Sequence, residues 1–155
     1  MKTLISALAL STAIAAPAAA VAKPVTFTAT LKNYGGPGAY LTLYVTDKNG
    51  AYKGTLWMAG GKTKYYKHLS GWHRATRGDL GQVRGITGAS VGAGRKLEVK
   101  LNLSNSLLKA GYKLHIDAAV EDRRDSPSDV VIPLTKANAG KAVRGKRYIS
   151  SFTFK

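Results

Sequence analysis

The sequence contains no cysteine. This excludes disulfides, thiolate metal sites, a cysteine nucleophile and a lipid-modified cysteine anchor. Carboxylates are scarce: eight Asp and Glu stand against 24 Lys and Arg, for a formal net charge of +16. Of the three histidines, His68 and His73 lie five apart in a breaker-rich stretch and His115 sits in an alternating apolar run, so none has metal-ligand spacing. A Gly-x-Ser-x-Gly frame, a phosphate-binding P-loop and a dinucleotide fingerprint are missing. Beyond the N-terminal stretch, no segment approaches the ~20 consecutive apolar residues of a membrane-spanning helix. These absences argue against a hydrolase, a nucleotide enzyme and an integral membrane protein, and they leave a binding or carrier module as the leading expectation.

What is present begins with Met1-Lys2-Thr3, an apolar run from Leu4 to Ala16, and the small residues Ala18-Ala19-Ala20-Val21-Ala22. A charged start, a short apolar run and an Ala-x-Ala ending predict a secretory signal peptide over residues 1–22. Cleavage after Ala22 would leave one domain, Lys23 to Lys155, in the periplasm, and would lower the net charge by only one. A positive charge of this size ordinarily points to nucleic acid. An exported chain rarely meets any, so an anionic surface or an acidic protein is the expected partner. Without cross-links, a chain of this length also needs one well-packed apolar core.

The apolar pattern has mostly a period of two. Val25, Phe27, Ala29 and Leu31 alternate with Thr26, Thr28, Thr30 and Lys32, which predicts a half-buried strand. Asn33 to Gly38 breaks the chain, and Ala39–Thr46 and Tyr52–Met58 form two strands joined at Asp47-Lys48-Asn49-Gly50, where Asn-Gly supplies positive φ angles. Lys96–Leu103, Tyr112–Ala119, Val130–Leu134 and Tyr148–Phe154 are further strands. Ser104 is placed to cap a short helix through Lys109, ended by Gly111. Residues 59–94 predict an ordered but irregular region with one or two short strands, too long for an idle connection. The sum is a mainly β fold, an antiparallel immunoglobulin-like β-sandwich with one short helix; an up-and-down barrel is the alternative.

The segments Asn33-Tyr34-Gly35-Gly36-Pro37-Gly38-Ala39-Tyr40, Gly54-Thr55-Leu56-Trp57, Lys64-Tyr65-Tyr66-Lys67-His68-Leu69-Ser70-Gly71-Trp72, Gly85-Ile86-Thr87-Gly88-Ala89-Ser90 and Ala118-Ala119-Val120-Glu121-Asp122 resemble a family of predicted periplasmic proteins, the domain of unknown function 2271. The resemblance covers nearly all of the chain after the leader. It implies an envelope location and little about activity. The stretch Val45 to Leu56 is also similar to the immunoglobulin-like domain of flagellar hook-capping proteins, which implies a sandwich and nothing about flagella.

Arg84-Gly85-Ile86-Thr87-Gly88-Ala89-Ser90 resembles the acceptor motif of bacterial flavin transferases, Asp-Gly-x-Ser/Thr-Gly-Ala-Ser/Thr, whose last hydroxyl takes the phosphate of FMN. By that resemblance Ser90 carries the flavin and Thr87, Gly88 and Ala89 present it. Small neighbours leave room for a transferase and its dinucleotide donor, and a Gly-rich turn offers N–H groups to phosphate. The chain departs from the motif at its head, where Arg84 replaces Asp and Asp79 is out of register. The plainer alternative is a glycine-rich turn that merely joins two strands.

Two further groups stand out. Trp57, Tyr65, Tyr66, His68, Trp72 and His73 are interleaved with Lys62, Lys64, Lys67 and Arg74, an arrangement that suits stacking on a flat ring beside anionic groups. Tyr65 and Trp72 are the candidates for cofactor contact, whereas Trp57 and Tyr66 are expected in the core. Asp117, Glu121, Asp122, Asp125 and Asp129 hold five of the eight carboxylates, with Arg123 and Arg124 among them. They predict local salt bridges in a turn, with cation binding as the alternative. The functional expectation is a module of an envelope redox system, flavinylated by a transferase and serving a membrane electron-transfer protein. A cofactor-free interaction domain is the competing expectation.

Overall fold

The computed structural model describes residues 22–108 and 111–155; the leader expected over residues 1–22 lies, apart from Ala22, outside them. Eight strands form two sheets: β1 (Ala22–Leu31), β2 (Ala39–Thr46), β3 (Tyr52–Ala59), β4 (Thr87–Gly88), β5 (Lys96–Ser104), β6 (Lys113–Val120), β7 (Ser126–Pro133) and β8 (Ile149–Phe154). One sheet has the order β5-β1-β8 and the other β4-β3-β2-β6-β7. All pairings are antiparallel except β3 with β4. Two separate sheets rule out the closed barrel and make this a β-sandwich. Among the described residues no helix is long and apolar enough to cross a membrane.

The alternation seen in the sequence is what builds the interior. Phe27, Ala29 and Leu31 on β1, Leu101 and Leu103 on β5, and Phe152 and Phe154 on β8 face Leu41, Leu43 and Val45 on β2 and Leu114, Ile116 and Ala118 on β6. The rings of Phe27 and Phe152 stack with centroids 6.3 Å apart, and Phe154 lies 6.2 Å from Phe27. Each buried side chain of this size contributes roughly 1.5–3 kcal/mol relative to exposure. The outer face of β5 carries Lys96, Glu98, Lys100 and Asn102 in water.

The β2–β3 hairpin closes through Asp47. Its carboxylate accepts the Asn49 and Ala51 N–H groups at 2.8 and 2.9 Å, and the Gly50 N–H reaches the Asp47 carbonyl at 3.0 Å. Positive φ is needed at Gly50 alone (87°), so Asn49 does not supply it as the Asn-Gly pattern predicts. The longer loop is absorbed by register shifts between Leu43 and Tyr44 and between Val45 and Thr46.

Residues 60–86 depart most from expectation. They cover the outer face of the five-stranded sheet with a 3-10 turn Thr63–His68, the helix α1 (Ser70–Thr76) and a second 3-10 turn Leu80–Val83. Tyr66, Leu69, Trp72, Val83 and Ile86 from this layer meet Tyr44, Met58 and Ala119 from the sheet in a second apolar cluster. Where the helix is expected after Ser104, a 3-10 turn Asn105–Leu108 stands instead.

Candidate functional site

The outer layer is keyed to the sheet by Asp117, which is fully buried on β6. Its carboxylate accepts the Tyr44 hydroxyl at 3.1 Å, the Ser128 N–H at 2.7 Å and the Trp72 N–H at 2.7 Å. The last bond matters because Leu69, the residue that precedes α1, offers no capping side chain. A sheet carboxylate thus takes one of the orphan N–H groups at the helix start. Burial, followed by the nearby Asp117 charge, pushes the Tyr44 phenol well above its ordinary range, so it stays a donor.

The acidic stretch does not form the expected salt bridges with its own arginines. Asp129 is buried and accepts Ser126 Oγ at 2.5 Å and the Arg147 and Ile149 N–H groups at 2.6 and 2.9 Å, fastening β7 to the entry of β8. Asp125 meets His68 Nδ1 at 3.2 Å. Arg123 donates to the Gly35 carbonyl at 2.9 Å and lies over the Tyr34 ring. Buried carboxylates are satisfied by backbone N–H groups here because these supply fixed donors without burying a second charge. Among the described residues no three potential metal ligands stand together.

Ser90 lies on a short, well-fastened span. Upstream, the Met58 N–H bonds the Ile86 carbonyl at 2.9 Å and the Gly60 N–H bonds the Gly88 carbonyl at 2.8 Å. Thr87 Oγ1 donates to the Val83 carbonyl at 2.9 Å, tying the strand to the preceding turn. Downstream, Val91 and Ala39 exchange backbone hydrogen bonds of 2.6 and 2.9 Å. Between these points Ala89 and Ser90 are exposed.

Both line a groove of about 340 Å³ whose other walls are Trp57, Val91, Gly92, Arg95 and the start of β5 from Lys96 to Glu98. Gly88 explains how the loop sits so low. A Cβ at this position would stand 2.7 Å from Trp57 Cζ2, so only glycine lets the backbone rest on the indole. The Trp57 Nε1 is buried and has no acceptor, a deficit that costs about 1–3 kcal/mol where water is excluded. Arg95 and Lys96 put two cations at the rim, against one carboxylate from Glu98.

The structure therefore brings Thr87, Gly88, Ala89 and Ser90 together and separates them from the other two candidates. Trp72 is fully buried: its indole N–H donates to Thr55 Oγ1 at 2.9 Å and its ring meets Tyr66 edge-on at 5.9 Å, so it has no face to offer a ligand. Tyr65 is half-buried in a second groove, of about 290 Å³, with Gly38, Tyr40, His68 and residues 119–123. There it meets the Tyr40 ring edge-on at 5.6 Å and Lys64 over its face at 5.0 Å.

Trp57, expected in the core, is the aromatic residue that reaches the Ser90 groove; it is half-buried and packs against both apolar clusters. The available signal was its place at the end of the third strand, on the side from which the Gly-rich loop must return. No curated protein and no solved structure matches the chain. A family model described as a predicted periplasmic protein matches residues 22–151, and the chain belongs to that family, the domain of unknown function 2271.

Proposed function

We propose that this periplasmic protein is a binding or electron-carrier module that bears FMN as a phosphodiester on Ser90. The observation that supports this most is the exposed Ser90 on a span fastened at both ends, lining a groove with an indole wall and a cationic rim. A hydroxyl that must enter another enzyme's active site needs exposure and small neighbours, and Ala89 and Gly88 supply them. Arg95 and Lys96 at the groove rim suit the phosphodiester charge.

In the attachment step a transferase supplies a flavin adenine dinucleotide. The Ser90 oxygen attacks the FMN phosphorus and an O–P bond forms. The phosphoanhydride bond breaks and AMP leaves with its electron pair, while the serine proton passes to the transferase's base. Once bound, the flavin supplies the electron-transfer chemistry, and the chain supplies placement and charge. The basic surface would orient the module towards an acidic or membrane-embedded electron partner.

Arg84, in place of the motif's leading acid, is exposed just after the 3-10 turn, while Asp79 is already used to cap that turn by accepting the Gly81 N–H at 2.9 Å. Co-expression with a flavin transferase is expected to give a yellow protein heavier by one FMN less one water. Ser90→Ala abolishes the gain, and Arg84→Asp raises the modified fraction. An unmodified chain under these conditions would retire the carrier reading in favour of a cofactor-free interaction domain.

A further inference from the structure

We infer that Trp57, rather than the pair Tyr40 and Tyr65, is the ring-contact residue for the flavin on Ser90, an assignment that rests on the carrier reading above. Two grooves adjoin the Ser90 loop. Ser90 itself lines the one that contains Trp57. Ser90 does not line the tyrosine groove, although Gly38 at its edge lies close by: a Cβ there would stand 3.4 Å from Ser90 Oγ.

Three features favour the tryptophan side. First, loop and indole are one packed unit: Gly88 rests on Trp57, so a hydroxyl two residues later stands at a fixed offset from the ring. Second, the tyrosines are already engaged: Tyr40 accepts the Lys62 N–H at 3.0 Å and Tyr65 meets the Tyr40 ring and Lys64. Third, charge discriminates. The tryptophan groove sets Arg95 and Lys96 against Glu98, while the tyrosine groove contains the carboxylates of Glu121 and Asp122 and an Arg123 already engaged by Gly35 and Tyr34. A phosphodiester anion and its ring are better placed beside the first set than the second.

The indole edge also explains the motif locally. Glycine is required at position 88 for the loop to lie on Trp57, so the small-residue pattern serves ring placement as well as access by a transferase.

The test uses the full chain loaded by co-expression with a flavin transferase, with intact mass to count the flavin and flavin emission to report ring contact, since an indole touching an excited flavin quenches it by electron transfer. The loaded wild-type chain is expected to emit severalfold less than equimolar free FMN. Trp57→Phe should restore most of that emission at an unchanged mass gain, while Tyr40→Phe/Tyr65→Phe should leave it quenched. Unquenched wild-type emission overturns the assignment, as does release of quenching by the tyrosine double variant alone. Should Trp57→Phe not fold, the double variant decides: persistent quenching supports Trp57, and release overturns it. A wild-type chain without added mass is a failure of the Ser90 reading itself and takes this inference with it.

Discussion

The two faces of the five-stranded sheet are built on different principles. The inner face meets the small sheet through apolar side chains, chiefly Leu, Val, Ile, Phe and Ala, and its geometry follows from alternation and volume. The outer face also excludes water, but it does so around polar groups: Asp117, Thr55, Tyr44 and the Trp72 indole N–H are buried there and bonded to one another. Apolar packing alone would hold the outer layer in many nearly equivalent ways. Directional bonds to one carboxylate select a single position for α1 and, through the turn at Leu80–Val83, help set where Thr87 and Ser90 emerge. The inner face makes the fold stable, and the outer face makes the loop accurate.

That contrast can be broken from either side. The largest effect is expected on the inner face, where Leu41→Ala removes a fully buried side chain from a central strand. Urea denaturation should show a loss of about 3–5 kcal/mol, with both sheets melting in one transition. Asp117→Ala comes next, at about 2–4 kcal/mol, because it takes the acceptor from the buried Tyr44 hydroxyl and Trp72 N–H and from the part-buried Ser128 N–H. Limited proteolysis should then cut residues 60–86 first, an outcome Leu41→Ala does not share.

Gly88→Ala is smaller, about 1–3 kcal/mol by thermal melting, since the new methyl group must push the loop off Trp57. Its distinguishing mark is a shifted tryptophan emission. The smallest effect concerns His115, whose ring stacks on Tyr44 at 5.1 Å and contacts Thr46 and Ser128 at 2.9 and 3.0 Å. Burial is the main cause that holds its pKa below the ordinary value, with Lys113 and Lys146 adding to it against Asp117. The unfolded chain therefore takes up the proton first as pH falls. The contribution of His115 is complete above pH ~6.5 and declines on acidification through the folded pKa. Unfolding midpoints from pH 8 to 5 should fall less in His115→Gln than in the wild-type chain.

The same contrast explains what the sequence alone could reveal. Strands that face the inner core announce themselves by alternation, as in Val25 to Leu31 and Lys96 to Leu103, or by Leu, Tyr and Val around the Asp47–Gly50 turn, and β1, β2, β3, β5, β6, β7 and β8 are legible from these signals. The outer layer has no such signature. Seven residues of α1 carry too few turns for a helical period, and its start lacks a local cap because the cap comes from Asp117, 45 positions away. For that reason Trp72 looked available and is not. Asp117, grouped by sequence with a surface cluster, is an interior residue. The exposure of Ser90 follows from a local pattern, a hydroxyl among small residues, whereas Trp57 comes beside that loop through the parallel pairing of β3 with β4.

The most direct test of the account is the site of attachment. After co-expression with a flavin transferase, peptide mapping of the loaded chain is predicted to place one flavin phosphodiester on Ser90, retained in Thr87→Ala and lost in Ser90→Ala. A flavin on Thr87, or an equal load on the Ser90→Ala chain, would contradict it.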